Sequence, residues 1–255
     1  MKFSPSGYQG WQVSIFNHLF QSTLVVLLAW LLTLALKRNE AGTRYWVWMA
    51  ASLKLLIPFS LFISIGELLR PAAAAAVGSP QIAVIVNMAQ PFSQSVEPAM
   101  AEFSRPVVPG SPHQVDLLPA ILLTVWLCGF LLLLIRWARN WCAIRAMVRS
   151  ASPLSMSTSL SIAMPVLSSS RLPEPAVFGI LHPVLLLPET IVNQLSTPQL
   201  HSILAHEISH VRRRDNLTAA IHMAVETIFW FHPAVWWIES RLIEERELAC
   251  DEAVL

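Results

Sequence analysis

The chain has 255 residues, 55% of them hydrophobic and only 13% charged, with a net charge of +1 and a mean hydropathy of +0.54. An ordinary soluble domain carries about 25% charged residues, so the composition argues against a wholly soluble globule and excludes a disordered or collagen-like chain. A net charge this small leaves no bulk basic field for nucleic acid, and three cysteines are too few for a disulfide scaffold.

Three apolar stretches, at about 13–36, 45–65 and 117–135, are long enough to cross roughly 30 Å of hydrocarbon. The first closes on Lys37 and Arg38 with no small-residue cleavage site after it, so it reads as a retained span and not a signal peptide. The second carries Trp46 and Trp48 as expected interface anchors. It also carries Lys54 near its middle, where a lysine costs about 2.5–3.5 kcal/mol and needs a partner or a wet cavity. Arg136, Trp137, Arg139 and Trp141 follow the third.

Lys37, Arg38 and Arg44 crowd the first short loop, and Arg136, Arg139, Arg145 and Arg149 follow the third span. The loop 66–116 holds only Arg70 and Arg105 against Glu67, Glu97, Glu102 and Asp116. The positive-inside rule then predicts the N-terminus and that loop outside, and everything after residue 135 inside. The external loop is rich in Ala, Pro and Ser and reads as irregular. Cys128, Cys142 and Cys250 all fall elsewhere, so no structural disulfide is expected.

Residues 1–135 thus read as a membrane region and 136–255 as a cytoplasmic domain. Residues 136–149 continue the third helix outward, and 150–170 form a linker or the start of a small sheet. The run 176–187 is apolar and β-branched, broken by Gly179 and Pro183, which fits short or edge strands. Thr197 with Pro198, or Ser196 with Gln199 in capping-box spacing, starts a helix that ends near Arg214. Leu200, Ile203, Leu204, Ile208 and Val211 give it one apolar face. Further helices are expected at about 216–230 and 234–254.

The first of these helices contains His206-Glu207-Ile208-Ser209-His210, the HExxH pattern. Residues i and i+4 share a helix face, so both imidazoles can bind one Zn²⁺, with Glu207 beside them as general base. A catalytic zinc usually takes a third protein ligand. Arg213 and Asn216 stand where a metzincin needs Gly and His, so that class is excluded. The acidic candidates are Glu226, Glu239, Glu244, Glu245, Glu247, Asp251 and Glu252. Glu247 is favoured, with Asp251 one turn on to hold a ligand histidine from behind; Glu226 is the competitor. Five of the eight histidines (His201, His206, His210, His222 and His232) fall within 32 residues, which argues against an accidental HExxH pair. Both tyrosines, Tyr8 and Tyr45, lie toward the membrane end, so His222, His232, an Arg or a backbone N–H must support a developing oxyanion. The strand around 178–186 is a candidate edge for pairing with an extended substrate. Arg212, Arg213 and Arg214 suit the negative end of a helix and could also touch anionic headgroups.

The runs Pro175-Ala-Val-Phe-Gly179 and Pro183-Val-Leu-Leu-Leu-Pro188, the HExxH helix with Val211-Arg-Arg-Arg-Asp215, Phe229-Trp-Phe-His-Pro-Ala-Val-Trp236, and Glu247-Leu-Ala-Cys-Asp251 occur in order. Together they resemble the BlaR/MecR-type membrane metallopeptidases, the antirepressor signalling proteases of bacteria. The resemblance implies a mainly α, polytopic inner-membrane protein with three transmembrane helices and a small α+β zincin-like domain. It implies zinc on His206, His210 and Glu247, catalysis by Glu207 and support from Asp251. It also implies cleavage of a cytoplasmic protein, a repressor or the protease itself, on an external signal. Well-known members of that family continue into an extracellular penicillin-binding sensor, whose SxxK module is not found up to Leu255, so the chain is expected to be a fragment or to carry another tail. A zinc-retaining scaffold without proteolysis and a Ste24/HtpX-type quality-control protease are the competing readings.

Overall fold

In a computed structural model, residues 6–58, 117–154, 164–170 and 172–254 are described. The expected external loop 66–116 and the far end of the second apolar stretch lie outside them. The first half of the chain has three described helices: α1 (Ser6–Ala35), α2 (Ala41–Leu56) and α3 (Leu118–Ser150). Two of them, α1 over Gln12–Ala35 and α3, are long and apolar enough to cross a membrane. Helix α3 buries none of its residues; most of its leucines and isoleucines are exposed, as side chains are when the solvent is lipid.

Helix α2 differs from a lipid-facing span. It buries Ala41, Tyr45, Trp48, Met49, Ala51, Ser52 and Leu55. Trp48, expected at the membrane interface, is instead 1% exposed and packs edge-on against Trp237, whereas Trp46 is exposed. The reason is crowding: α2 forms one apolar core with α1 and two later helices. Lys54 has its partner there, donating to Ser22 Oγ at 2.9 Å, while Ser22 donates to the His18 carbonyl.

A four-stranded sheet follows, made of β1 (Ser152–Pro153), β2 (Val166–Ser169), β3 (Ala176–Phe178) and β4 (Val184–Pro188), in the order β1-β2-β4-β3. Strands β3 and β4 are antiparallel, with Ala176 opposite Leu186, and β2 and β4 are parallel. The turn between β3 and β4 requires Gly179: φ is +99°, and an added Cβ would lie 2.3 Å from the His182 carbonyl oxygen. Leu185, Leu186 and Leu187 are fully buried, which places β4 at the centre of the sheet and β3 at its edge.

Four helices complete the chain: α4 (Glu189–Gln194), α5 (Thr197–Arg213), α6 (Asp215–Ile228) and α7 (Pro233–Val254). Of the two caps open from sequence, Ser196 is used. Its N–H and hydroxyl both reach the Gln199 side chain, and Pro198 sits in the first turn, where no N–H is missed. Arg214 adopts the left-handed conformation (φ 59°) between α5 and α6, so the chain turns without a loop.

Helix α2 is bound to α7 at two points. Glu252 accepts from the Ala41 N–H at 2.9 Å, capping α2 from across the fold, and Arg44 pairs with Glu245 at 2.8 Å with both side chains nearly buried. Glu245 and Glu252 flank Glu247 and Asp251 in sequence, so α2 is fastened to the segment that carries the acidic site residues.

Candidate metal centre

Helix α5 turns His206, Glu207 and His210 toward one cleft of about 880 Å³, which Glu247 and Asp251 of α7 close from the other side. The Nε2 atoms of His206 and His210 lie 3.6 and 3.7 Å from the same carboxylate oxygen, Glu247 Oε2. Zinc bonds of about 2.0–2.1 Å in tetrahedral geometry separate ligand atoms by about 3.4 Å. The three donors therefore fit a zinc ion, and they form a group whose ligand atoms all lie within 4.8 Å of one another.

Each imidazole is gripped from behind. His206 Nδ1 lies 3.1 Å from Asp251 Oδ1, and His210 Nδ1 lies 2.8 Å from Asp215 Oδ2. A carboxylate on Nδ1 fixes the ring and leaves Nε2 for the metal. The sequence reading had Asp251 in this role but missed Asp215. The sequence signal is the acid that directly follows the Arg212–Arg214 run, five residues past His210. Spacing within α5 does not reach it, because the contact crosses the left-handed turn at Arg214. Cys250 was missed too: it is buried, with Sγ 3.2 Å from His210 Nδ1.

The electrostatics suit a cation. Burial alone would lower the His210 pKa, but Asp215, Cys250 and Glu247 outweigh it and raise it to about 10. Anionic surroundings that favour a proton on the imidazole favour a metal ion beside it for the same reason. Glu207 is 9% exposed; burial pushes its carboxyl above the usual range, opposed by His210 and His206.

The other candidates are placed elsewhere. Glu226 lies in α6 and lines an adjoining cavity of about 450 Å³ together with Arg136 and Glu239. His222 bonds Ser52 of α2, His232 bonds Thr23 of α1, and Tyr45 donates to Thr218. None of them lines the metal cleft. Arg246 does line it, with its Nε held by Glu247 Oε1 at 3.1 Å. Ala176 and Val177 of the edge strand β3 also line the cleft. Two carbonyls of β3 and its turn, those of Val177 and Gly179, already accept from Asn216 Nδ2 at 3.1 and 3.0 Å.

Asp215→Asn removes the charge behind His210 and is expected to weaken zinc binding about 10- to 100-fold. Competition with a chromophoric chelator measures it, and an unchanged affinity would remove Asp215 from the centre.

Residues 13–255 match the family model described as BlaR1 peptidase M56. The chain is 34% identical over 91 residues to the regulatory protein BlaR1 of Bacillus licheniformis, covering 35% of this chain and 15% of that protein. It is 31% identical over 87 residues to the methicillin resistance mecR1 protein of Staphylococcus aureus (strain Mu50 / ATCC 700699), covering 34% of this chain and 15% of that one. Each match therefore spans only a small part of the relative's length. The family model, by contrast, covers nearly the whole chain: this protein belongs to the BlaR1 peptidase family, a family of membrane metallopeptidases acting in signal transduction.

Proposed function

We propose that this chain is a zinc metalloendopeptidase of the cytoplasmic membrane that cuts a cytoplasmic protein, a transcriptional repressor or the protease itself, in response to a signal from outside. The observation that carries the reading is the convergence of two imidazoles and one carboxylate in a cleft that also holds Glu207. His206, His210 and Glu247 would hold the ion. Bound zinc would polarise the scissile carbonyl and acidify water.

Glu207 accepts the proton of the attacking water and passes it to the leaving amine. Asp251 and Asp215 keep the two imidazoles in the tautomer that exposes Nε2. Among the described residues, Arg246 is the arginine that lines the cleft and is the candidate donor to the oxyanion. The edge strand β3, which lines the cleft with Ala176 and Val177, is the candidate edge for pairing with an extended substrate. The two ties between α2 and α7, at Glu245 and Glu252, support a path from a membrane helix to Glu247.

The test uses the purified chain in lipid vesicles, mixed with a bacterial cytosolic extract whose free N-termini are chemically labelled. New N-termini are expected with zinc, absent after chelation and restored by zinc. Identical peptide ends in all three samples would overturn the reading and favour a scaffold without proteolysis.

A further inference from the structure

We infer that helices α6 and α7 form a re-entrant hairpin that dips into the bilayer to about its mid-depth, so that lipid acyl chains are the partner of its exposed apolar face. The inference rests on the membrane reading of α1 and α3 but adds an element neither shares.

Three contacts set the depth. His232 Nε2 lies 3.2 Å from Thr23 Oγ1, at the centre of the apolar stretch Gln12–Ala35. Trp126 of α3 donates its indole N–H to the Ile228 carbonyl at 3.0 Å, and Trp230 donates back to the Trp126 carbonyl at 3.1 Å. The Trp230 ring covers Gly129 so closely that an added Cβ would lie 2.1 Å from it. Trp126 lies ten residues before Arg136, which is about 15 Å of helix rise, or about half of a 30 Å hydrocarbon core. Contacts to α1 and α3 thus place the tip, residues 229–233, at one level.

The hairpin turns back because it cannot cross. Helix α6 has 14 residues and spans about 21 Å. Backbone inside hydrocarbon needs internal partners, and four N–H groups at or just after the tip have them. Phe229 N–H donates to Val225 at 2.9 Å, His232 N–H to Phe229 at 2.8 Å and Val235 N–H to His232 at 3.1 Å. Pro233 has no N–H to satisfy. The Ala234 N–H reaches His232 Nδ1 at 3.3 Å, and the Trp236 indole reaches the Trp230 carbonyl at 2.9 Å.

The outer face is apolar. Phe231 is 45% and Trp236 36% exposed, and α1 and α3 also expose leucines. The polar side chains Thr218 and His222 point inward to α2. On α7, charge begins at the half-buried Glu239, about 9 Å along the helix from Pro233, and the first exposed charged residue is Glu244, about 16 Å along it.

The test places one fluorophore per molecule on the full chain in phosphatidylcholine vesicles. Phe231→Cys carries it in a Cys128→Ser, Cys142→Ser background, with buried Cys250 untouched. Native Cys128, exposed on α3 beside Gly129, is the lipid reference, and Leu181→Cys, 83% exposed in the β3–β4 turn, is the aqueous one. The probe at 231 is expected to be quenched by a nitroxide deep on the acyl chain several-fold more than the probe at 181, and to be shielded from iodide, like that at 128. Iodide quenching at 231 equal to that at 181, with 128 still shielded, would overturn the hairpin while leaving the membrane reading intact. Iodide quenching at 128 as well would overturn both.

Discussion

Glu207→Gln is expected to keep its zinc and lose its hydrolysis, with kcat falling roughly 10²- to 10⁴-fold. Glutamine has the same shape and fits the same buried place, but its amide does not take a proton from water. Glu207 is not among the three residues whose donor atoms converge, so its loss leaves the ligand set whole. The measurements are metal per chain by mass spectrometry and the rate at which labelled N-termini appear. Full retention of cleavage would remove Glu207 from the chemistry. Loss of zinc together with cleavage would make it a ligand instead.

Glu247→Ala is expected to do the opposite, abolishing cleavage by releasing the metal. It deletes the one oxygen on which both imidazoles converge, at 3.6 and 3.7 Å. Two histidines alone form an incomplete site for a metal that usually takes three protein ligands. Glu226→Ala is the matched control: it removes the competing acid from the cavity lined by Arg136 and Glu239 and should leave one zinc per chain. Retained zinc in Glu247→Ala with loss in Glu226→Ala would invert the assignment and contradict the geometry.

Much of the site was legible because it is local. The period of Leu200, Ile203, Leu204 and Ile208, with Ser196 and Gln199 before it, marks a helix, and a helix carries its i and i+4 residues on one face. That puts His206 beside His210, and Glu247 beside Asp251, from spacing alone. Sequence did not reveal which nitrogen each acid would grip. Asp215 reaches His210 only because Arg214 turns left-handed, and no spacing rule within a helix describes that reach. Cys250 at His210 depends in the same way on how α5 and α7 cross.

The membrane part divides similarly. Apolar length marks three stretches, of which α1 and α3 are in the structure long and apolar enough to cross a membrane. Helix α2 deceives that test: Trp48 reads as an interface anchor but is buried against Trp237. Lys54 announces a need for a partner, yet only packing supplies Ser22.

By itself, then, the sequence determined a membrane anchor, a helix bearing HExxH and a second acid-bearing helix, because each follows from periodicity and composition within a few turns. Only the tertiary structure decided which acid meets the two histidines, which carboxylate backs each imidazole, and how α6 and α7 sit among the membrane helices. Those outcomes depend on pairs such as His210 with Glu247, Arg44 with Glu245 and Trp230 with Gly129. Such partners are far apart along the chain and are brought together by the crossing of packed helices, which no local pattern encodes.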